Sequence, residues 1–560
     1  MRKTINLFVL FVPLLLLVAC QTDSQVRPPT SQAETEMAEP TEATTEVLPT
    51  EAALPSTEEL VQELEEPTFE TAEANMSGQV ASFSFDPVDE CFVEIPEGFE
   101  YECGTVAVPE FHDEPDGDTI SLGVIRLLST ADSPAEPLFF ASGGPGGSLM
   151  NNAPLIASAV LEDDTSAYAQ LLSTRDLVFF TQRGTLYADP ALMCDLDDLD
   201  PYLTAVGEGS AVTEREQAEV DSLKACYERF VDAGVDFSAY NSVESAADVN
   251  SLREALGYDQ IVFYGESYGT LLGQHVMRDF PELLTAVILD GTVPIGAPSW
   301  VTQLDAKYQS SLTTVIDLCA ADEACSAAYP NLAEDVETVY QKLQTQPYTF
   351  DIFGVPIPLD ENLAAIAFYD SFYSPALAAK LPLTVDSIMN DREEERINDL
   401  LGRFFPAVSS LSWLTHYAVI CSEDPITTVA DATSLDSVSY SVISEFVRSD
   451  TFEYSEMCAL MDLPVLPDET DTPISSDLPV LLLSGAFDPI TPAFSGEEVL
   501  ATLPNSVSFE FPYGGHVQFI TGDACAESIV SAFIADPTTE PDGSCIAEAL
   551  PLQFTLPGEQ

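Results

Sequence analysis

Apolar residues in this chain gather in short runs that stop at glycine or at a polar residue. TISLGVIRLLST (119–130), PLFFASGG (137–144), RDLVFF (175–180), IVFYG (261–265), TAVILDG (285–291) and PVLLLSG (479–485) each read as a strand. Between them lie segments of helical period, such as EREQAEVDSLKACYERFVDAG (214–234) and SAADVNSLREALG (245–257). Alternation of strand and helix predicts an α/β fold with a mostly parallel sheet covered by helices on both faces. Ligand sites in such sheets lie beyond the carboxyl ends of the strands. The alternation stops near Pro294. From there to about residue 470 the pattern is mostly helical, in 304–344, 361–389 and 396–405. Strand signals then return, so a helical insertion is expected to cap the strand ends.

The first twenty residues follow another pattern. MRKTINLFVLFVPLLLLVAC has Arg2 and Lys3, an apolar run broken by Pro13, and then Cys20. A charged start and a short apolar stretch make a signal peptide, and the run is too short for a spanning helix. Leu17-Val18-Ala19-Cys20 resembles a bacterial lipobox, which implies lipidation of Cys20 and a membrane anchor. Residues 21–80 are rich in Thr, Glu and Pro with few aromatics. Such a segment cannot bury enough apolar surface to offset chain entropy, and a disordered tether is expected.

Charge narrows the partners. Lys and Arg total 18 against 94 Asp and Glu, a formal charge of −76 in 560 residues. Nucleic acid is excluded, since phosphate binding needs a basic face. An anionic membrane surface would also repel the body, which leaves the lipid as the only membrane contact. Spread of the acids along the whole chain suits a solubilising surface or adaptation to high salt. The 11 cysteines fit export: setting Cys20 aside leaves an even number, as expected where thiols oxidise. Spacing does not determine connectivity; sequential pairing is the expectation, Cys91–Cys103, Cys194–Cys226, Cys319–Cys325, Cys421–Cys458 and Cys525–Cys545. With no CxxC pair and no His/Cys cluster, neither a metal nor another cofactor is expected.

The chemistry is carried by IVFYGESYGT (261–270). Gly265-Glu266-Ser267-Tyr268-Gly269 is a G-x-S-x-G pattern after a strand and before a helix. A sharp strand-to-helix turn holds the serine in a strained conformation with its hydroxyl outward. Ser267 is the expected nucleophile. It needs a base, and the chain has 4 histidines. His112 lies in an acidic loop, His275 on the helix after the serine, and His416 within the helical insertion. His516, in FPYGGHVQF after the last strong strand, has the position of a base in the chain order Ser, acid, His. The acid between them is Asp488 in GAFDPITP, directly after a strand. An oxyanion is expected to be held by the backbone N–H of Tyr268 and by one from the loop FFASGGPGGS, assigned to Gly144.

Taken together, SGGPGGS, TQRGT, GESYGT, GAFDPITP and GGHV resemble the proline iminopeptidase branch of α/β-hydrolase serine peptidases. The nearest likeness is to the secreted bacterial tripeptidyl-aminopeptidase type, over about residues 90 to 550. The resemblance implies an α/β-hydrolase core at 81–295 and 473–560, a helical cap at 296–472, and cleavage of short peptides from the free amino end. The pattern departs from the family in three places. Ser142 stands where many relatives have His. Thr181 replaces the Asp of a D-Q-R-G turn, which puts the ion pair of Arg183 in doubt. TLYADP replaces a Gly-containing continuation. In the iminopeptidase branch, cap glutamates bind the substrate ammonium; here Glu423 and Asp424 are the candidates, with Glu266 as an alternative. The competing readings are a carboxylesterase or lipase on the same fold, and a catalytically silent surface-binding lipoprotein.

Overall fold

Side chains of a strand alternate between the two faces of its sheet, so a strand buried on both faces must be apolar throughout. That is the arrangement found here. A computed structural model describes residues 83–195, 197–296, 301–352, 355–391 and 411–558. The signal segment with Cys20, the tether 21–80 and the expected helix at 396–405 lie outside the described residues. The strands are β1 (Phe85–Pro87), β2 (Tyr101–Pro109), β3 (Thr119–Leu127), β4 (Ala135–Ala141), β5 (Arg175–Phe180), β6 (Ile261–Glu266), β7 (Leu284–Asp290), β8 (Tyr348–Ile352), β9 (Val355–Leu359), β10 (Val480–Gly485) and β11 (Ser506–Phe511). Nine of them form one sheet in the order β1-β2-β3-β5-β4-β6-β7-β10-β11. Pairing is antiparallel from β1 to β5 and parallel from β5 across to β11.

Core packing follows the pleat. Phe139, Val178 and Phe263 join one buried cluster, and their neighbours Phe140, Phe179 and Tyr264 join the other. Phe140 and Phe179 stack at 4.6 Å across β4 and β5. Strand order puts β4, β6, β7, β10 and β11 side by side, so the loops after them meet at one edge. The register sets Ala141 beside Gly265 and Glu266 beside Asp290.

Between β7 and β10 the described regular elements are helices, apart from the hairpin β8–β9. They include Leu304–Ala321, Glu361–Ser371, Trp413–Glu423 and Ser441–Met461. The hairpin was not anticipated by the mostly helical reading of this stretch. Five disulfides join Cys91 to Cys103, Cys194 to Cys226, Cys319 to Cys325, Cys421 to Cys458 and Cys525 to Cys545. The bridge Cys421–Cys458 ties the helix Trp413–Glu423 to the helix Ser441–Met461. Among the described residues no helix is long and apolar enough to cross a membrane.

Arg183 keeps an ion pair despite Thr181. Its guanidinium is buried and donates from Nε and Nη2 to the two oxygens of Asp248, each at 2.8 Å. Nη1 donates to the carbonyls of Glu110 and Ala239. The partner that the turn lacks is supplied by the helix Ser242–Leu256, while Thr181 Oγ1 accepts from Gly123 N–H at 2.8 Å. Removing one member of a buried pair strands the other charge. Asp248→Ala is therefore expected to destabilise the fold by about 3–5 kcal/mol, read as a lowered denaturation midpoint; an unchanged midpoint would show that the pair is not structural.

Candidate active site

The turn at Ser267 is built by close backbone contact. Ser267 has φ 51° and ψ −122°, a region that non-glycine residues rarely occupy. Its N–H donates to the carbonyl of Asp290 at 2.9 Å, and its own carbonyl accepts from Thr270 N–H at 2.8 Å. Glycines flank it for steric reasons. A Cβ on Gly265 would lie 2.1 Å from the carbonyl oxygen of Gly269, and one on Gly269 would lie 2.4 Å from that of Ala141. The helix Tyr268–Asp279 starts at the next residue, with its N-terminal N–H groups beside the serine.

The loop after β4 reaches the same place. A Cβ on Gly143 would stand 2.7 Å from Ser267 Cβ. Gly143 N–H donates to Glu266 Oε1 at 3.3 Å. Glu266 thus ties the serine turn to this loop, and burial pushes its carboxyl up to about 7.

Asp488 and His516 meet beyond β10 and β11. His516 Nδ1 lies 2.8 Å from Asp488 Oδ2. The other oxygen, Oδ1, accepts from the N–H groups of Ile490 and Thr491 at 2.9 and 2.8 Å. Thr491 Oγ1 donates to Oδ2 at 2.7 Å and also lies 3.0 Å from His516 Nδ1. Burial alone would raise the Asp488 carboxyl; the His516 charge, the hydrogen bond to it and the Thr491 donors prevail and hold it below the ordinary value. Burial alone would lower His516; Asp488 outweighs it, with Glu266 and Asp290 adding, and the ring is held above its ordinary value. With Nδ1–H committed to Asp488, Nε2 is the basic nitrogen.

Serine turn and histidine loop share one support. A Cβ on Gly291 would lie 3.3 Å from His516 Cε1, and the preceding residue, Asp290, holds the Ser267 N–H. The hydrogen bond from Ser267 Oγ to His516 Nε2 is not made in the structure; catalytic contacts of this kind tighten on substrate binding.

The other three histidines are engaged elsewhere. His112 Nδ1 is 2.6 Å from Glu244 Oε2, and His275 is buried with Nδ1 3.0 Å from Arg278. His416 is buried on the helix Trp413–Glu423, 3.2 Å from the Pro145 carbonyl. Glu423 is engaged with the start of the helix Ser242–Leu256. Its oxygens accept from Ser242 N–H at 2.6 Å and Ser242 Oγ at 3.0 Å, and Ser242 Oγ is also 2.9 Å from Tyr268 Oη. Burial pushes its carboxyl up to about 8, and the group serves as a cap on the helix Ser242–Leu256. Asp424 follows it as the C-cap of its own helix.

Four residues were not singled out from the sequence: Thr491, Asp290, Asp370 and Asp450. Asp290 carried a usable signal, a lone acid closing an apolar strand. Asp370 and Asp450 come from the helices Glu361–Ser371 and Ser441–Met461 and carried none. Burial pushes Asp370 up to about 7, and burial with the nearby Glu453 and Asp370 pushes Asp450 up to about 8. Neither side chain has an ion-pair or hydrogen-bond partner among the described residues. Both lie within electrostatic reach of Tyr373, as does Asp488. The Tyr373 ring meets the His516 ring edge-on at 5.0 Å, and its carbonyl accepts the His516 N–H. Among the described residues the one cluster with metal-ligand spacing is Cys194, Asp198 and Cys226, whose two sulfurs are joined to each other.

This sheet, with a strained serine after β6, an acid after β10 and a histidine after β11, has the α/β-hydrolase fold, and the chain is a serine hydrolase. Residues 136–335 match the family described as "alpha/beta hydrolase fold", and 444–545 match the "TAP-like protein" family. Serine protease Hip1 of Mycobacterium tuberculosis is 27% identical over 480 residues, covering 81% of this chain and 88% of that one. Carboxylesterase B of the same species is 28% identical over 464 residues, with 78% and 85% covered. Tripeptidyl aminopeptidase of Streptomyces lividans is 27% identical over 286 residues, 49% of this chain and 51% of its own. A solved proline iminopeptidase of Mycobacterium smegmatis aligns at 16% identity over 78% and 98% of the chains, with a TM-score of 0.37, too low to bear on function.

A neutral His516 is the form that can accept a proton. Because its folded pKa is raised, kcat/KM is expected to fall on acidification with a midpoint above the ordinary histidine value of about 6.5. A profile flat from pH 5 to 8 would contradict a histidine base.

Proposed function

We propose that this protein is an exported serine exopeptidase that removes short peptides or residues from a free amino terminus through Ser267, His516 and Asp488. His516 Nε2 takes the proton of Ser267 Oγ as the oxygen attacks the scissile carbonyl. The N–H groups of Tyr268 and Gly144 receive the oxyanion. His516 then gives the proton to the departing amine, and water, activated by the same nitrogen, releases the acyl peptide. Asp488 holds the tautomer and balances the imidazolium; Thr491 steadies Asp488.

The observation that carries the exopeptidase reading is the pair Asp370 and Asp450. Both side chains are half-buried, have no ion-pair or hydrogen-bond partner among the described residues, and lie within electrostatic reach of the Tyr373 that packs on His516, an arrangement that penalises their charged forms unless a cation is near. A substrate ammonium would supply the missing charge. Glu266, next in the chain to the serine and within electrostatic reach of His516, offers a third acid. The relatives named as a serine protease and a tripeptidyl aminopeptidase support peptides as substrates. One finding favours a second reading: the relative named Carboxylesterase B supports an esterase, which needs no acid for an amine. For location, the five disulfides support an oxidising compartment outside the cytoplasm, and Cys20 would carry the anchor.

Hydrolysis of tripeptidyl anilides with free and acetylated amino ends, set against a p-nitrophenyl ester, separates the two readings. A charge-assisted contact is worth about 1.5–3 kcal/mol, so Asp450→Asn or Asp370→Asn is expected to lower kcat/KM roughly ten- to a hundredfold on free-amine peptides only. Equal losses on the neutral ester would make the acids structural, and a preference for the ester over every peptide would favour the esterase. Intact mass of the same preparation reports whether Cys20 bears a lipid.

A further inference from the structure

The loop that supplies Gly144 is gripped by the helical insertion. The Ser412 N–H donates to the Gly146 carbonyl at 2.9 Å. One turn on, His416 Nδ1 lies 3.2 Å from the Pro145 carbonyl. There is no slack between the two segments. A Cβ on Gly146 would be 2.3 Å from the Ser412 carbonyl oxygen, and one on Gly144 would be 3.0 Å from Leu411 Cδ1. Two successive carbonyls after Gly144 are therefore held by the first turn of the helix Trp413–Glu423.

The protonation of His416 follows from its neighbours. A carbonyl oxygen only accepts, so Nδ1 carries the hydrogen. Nε2, 2.8 Å from Tyr454 Oη, then accepts from the phenol. Burial lowers the ring to about 4, which keeps it neutral with one N–H. Tyr454 stands on the helix Ser441–Met461, which the bridge Cys421–Cys458 joins to the helix bearing His416. The far end of that same helix reaches the other oxyanion donor. Glu423 holds Ser242, and Ser242 Oγ is 2.9 Å from Tyr268 Oη.

We propose that His416 is a positioning residue for catalysis: through the Pro145 carbonyl it holds the Gly144 N–H at its working distance from Ser267. The helix Trp413–Glu423 is then part of the oxyanion apparatus, reaching the donor loop through Pro145 and the Tyr268 side chain through Ser242. This rests on the assignment of Ser267 and Gly144 above. An oxyanion donor is worth about a hundred- to a thousandfold in kcat when removed outright, and a donor left loose loses part of that.

Asparagine puts its amide nitrogen close to where His416 has Nδ1, whereas leucine keeps the bulk and removes the donor. Each variant is assayed for kcat and KM on a tripeptidyl anilide. Each is also assayed for inhibition by a peptidyl trifluoromethyl ketone, whose adduct bears the oxyanion, and by the product peptide, which has none. His416→Leu is expected to lower kcat roughly ten- to a hundredfold and to weaken the ketone by the same factor, with KM and product affinity unchanged. His416→Asn should recover most of both. Should His416→Leu not fold, Tyr454→Phe frees the ring at Nε2 and is expected to lower kcat and ketone affinity together by a smaller factor. The proposal is overturned if the ketone and product lose affinity equally, if His416→Asn is as poor as His416→Leu, or if the variant that folds matches the wild type. Full activity in Ser267→Ala would instead overturn the site assignment itself, independently of His416.

Discussion

One buried carboxylate ties the two halves of the site together. The backbone carbonyl of Asp290 takes the Ser267 N–H, and its side chain takes the N–H groups of Gln518 at 2.9 and 3.0 Å and of Phe519 at 2.8 Å. Tyr264 donates to it as well, at 3.0 Å. Burial pushes this carboxyl up to about 6, and those donors oppose the rise. The residue between His516 and the bound amides is Val517, at φ 64°, a conformation that a β-branched side chain resists. Strain of this kind persists where the surroundings over-determine the backbone, and at Val517 the Asp290 carboxylate is the surrounding. Strained backbone on both sides of the proposed serine–histidine pair thus leans on one residue at the end of β7.

Electrostatics in the interior run opposite to the surface. The chain carries 94 acids against 18 Lys and Arg, and most acids can face water. Glu266, Asp370, Asp450 and Glu423 are pushed to about 7, 7, 8 and 8, by burial first. Each gives up charge near neutrality unless a cation arrives. Glu423 avoids the problem by capping a helix, but Asp370 and Asp450 have no such partner among the described residues. A cation entering beside them favours their ionised forms, so its binding and their loss of protons are one linked event.

Legibility in the sequence followed locality. β3 to β7 and β10 were readable because strands buried on both faces must be continuous apolar runs. β2 and β11 were not, since YECGTVAVP and SVSFEF mix polar residues into strands that are only partly covered. The hairpin β8–β9 was hidden within a stretch dominated by helical period. Ser267, Asp488 and His516 stood out by position relative to strand ends, and the structure brings Asp488 and His516 into contact. Asp248, Asp370 and Asp450 were lost among many acids, because what distinguishes them is burial and a partner, or the lack of one, far away in the chain. Glu423 was singled out by its place in the insertion; its hydrogen-bond partner Ser242, 181 residues earlier, left no mark in the local sequence.

The central claim is that Ser267 is an activated nucleophile facing His516. Reaction of the folded protein with a fluorophosphonate, read by intact mass and then by peptide mapping, tests it most directly. The account predicts one adduct per chain, located on Ser267 in the peptide containing GESYGT, and a much slower reaction once His516 is removed. A folded chain that stays unmodified, or an adduct on any other residue, would contradict it.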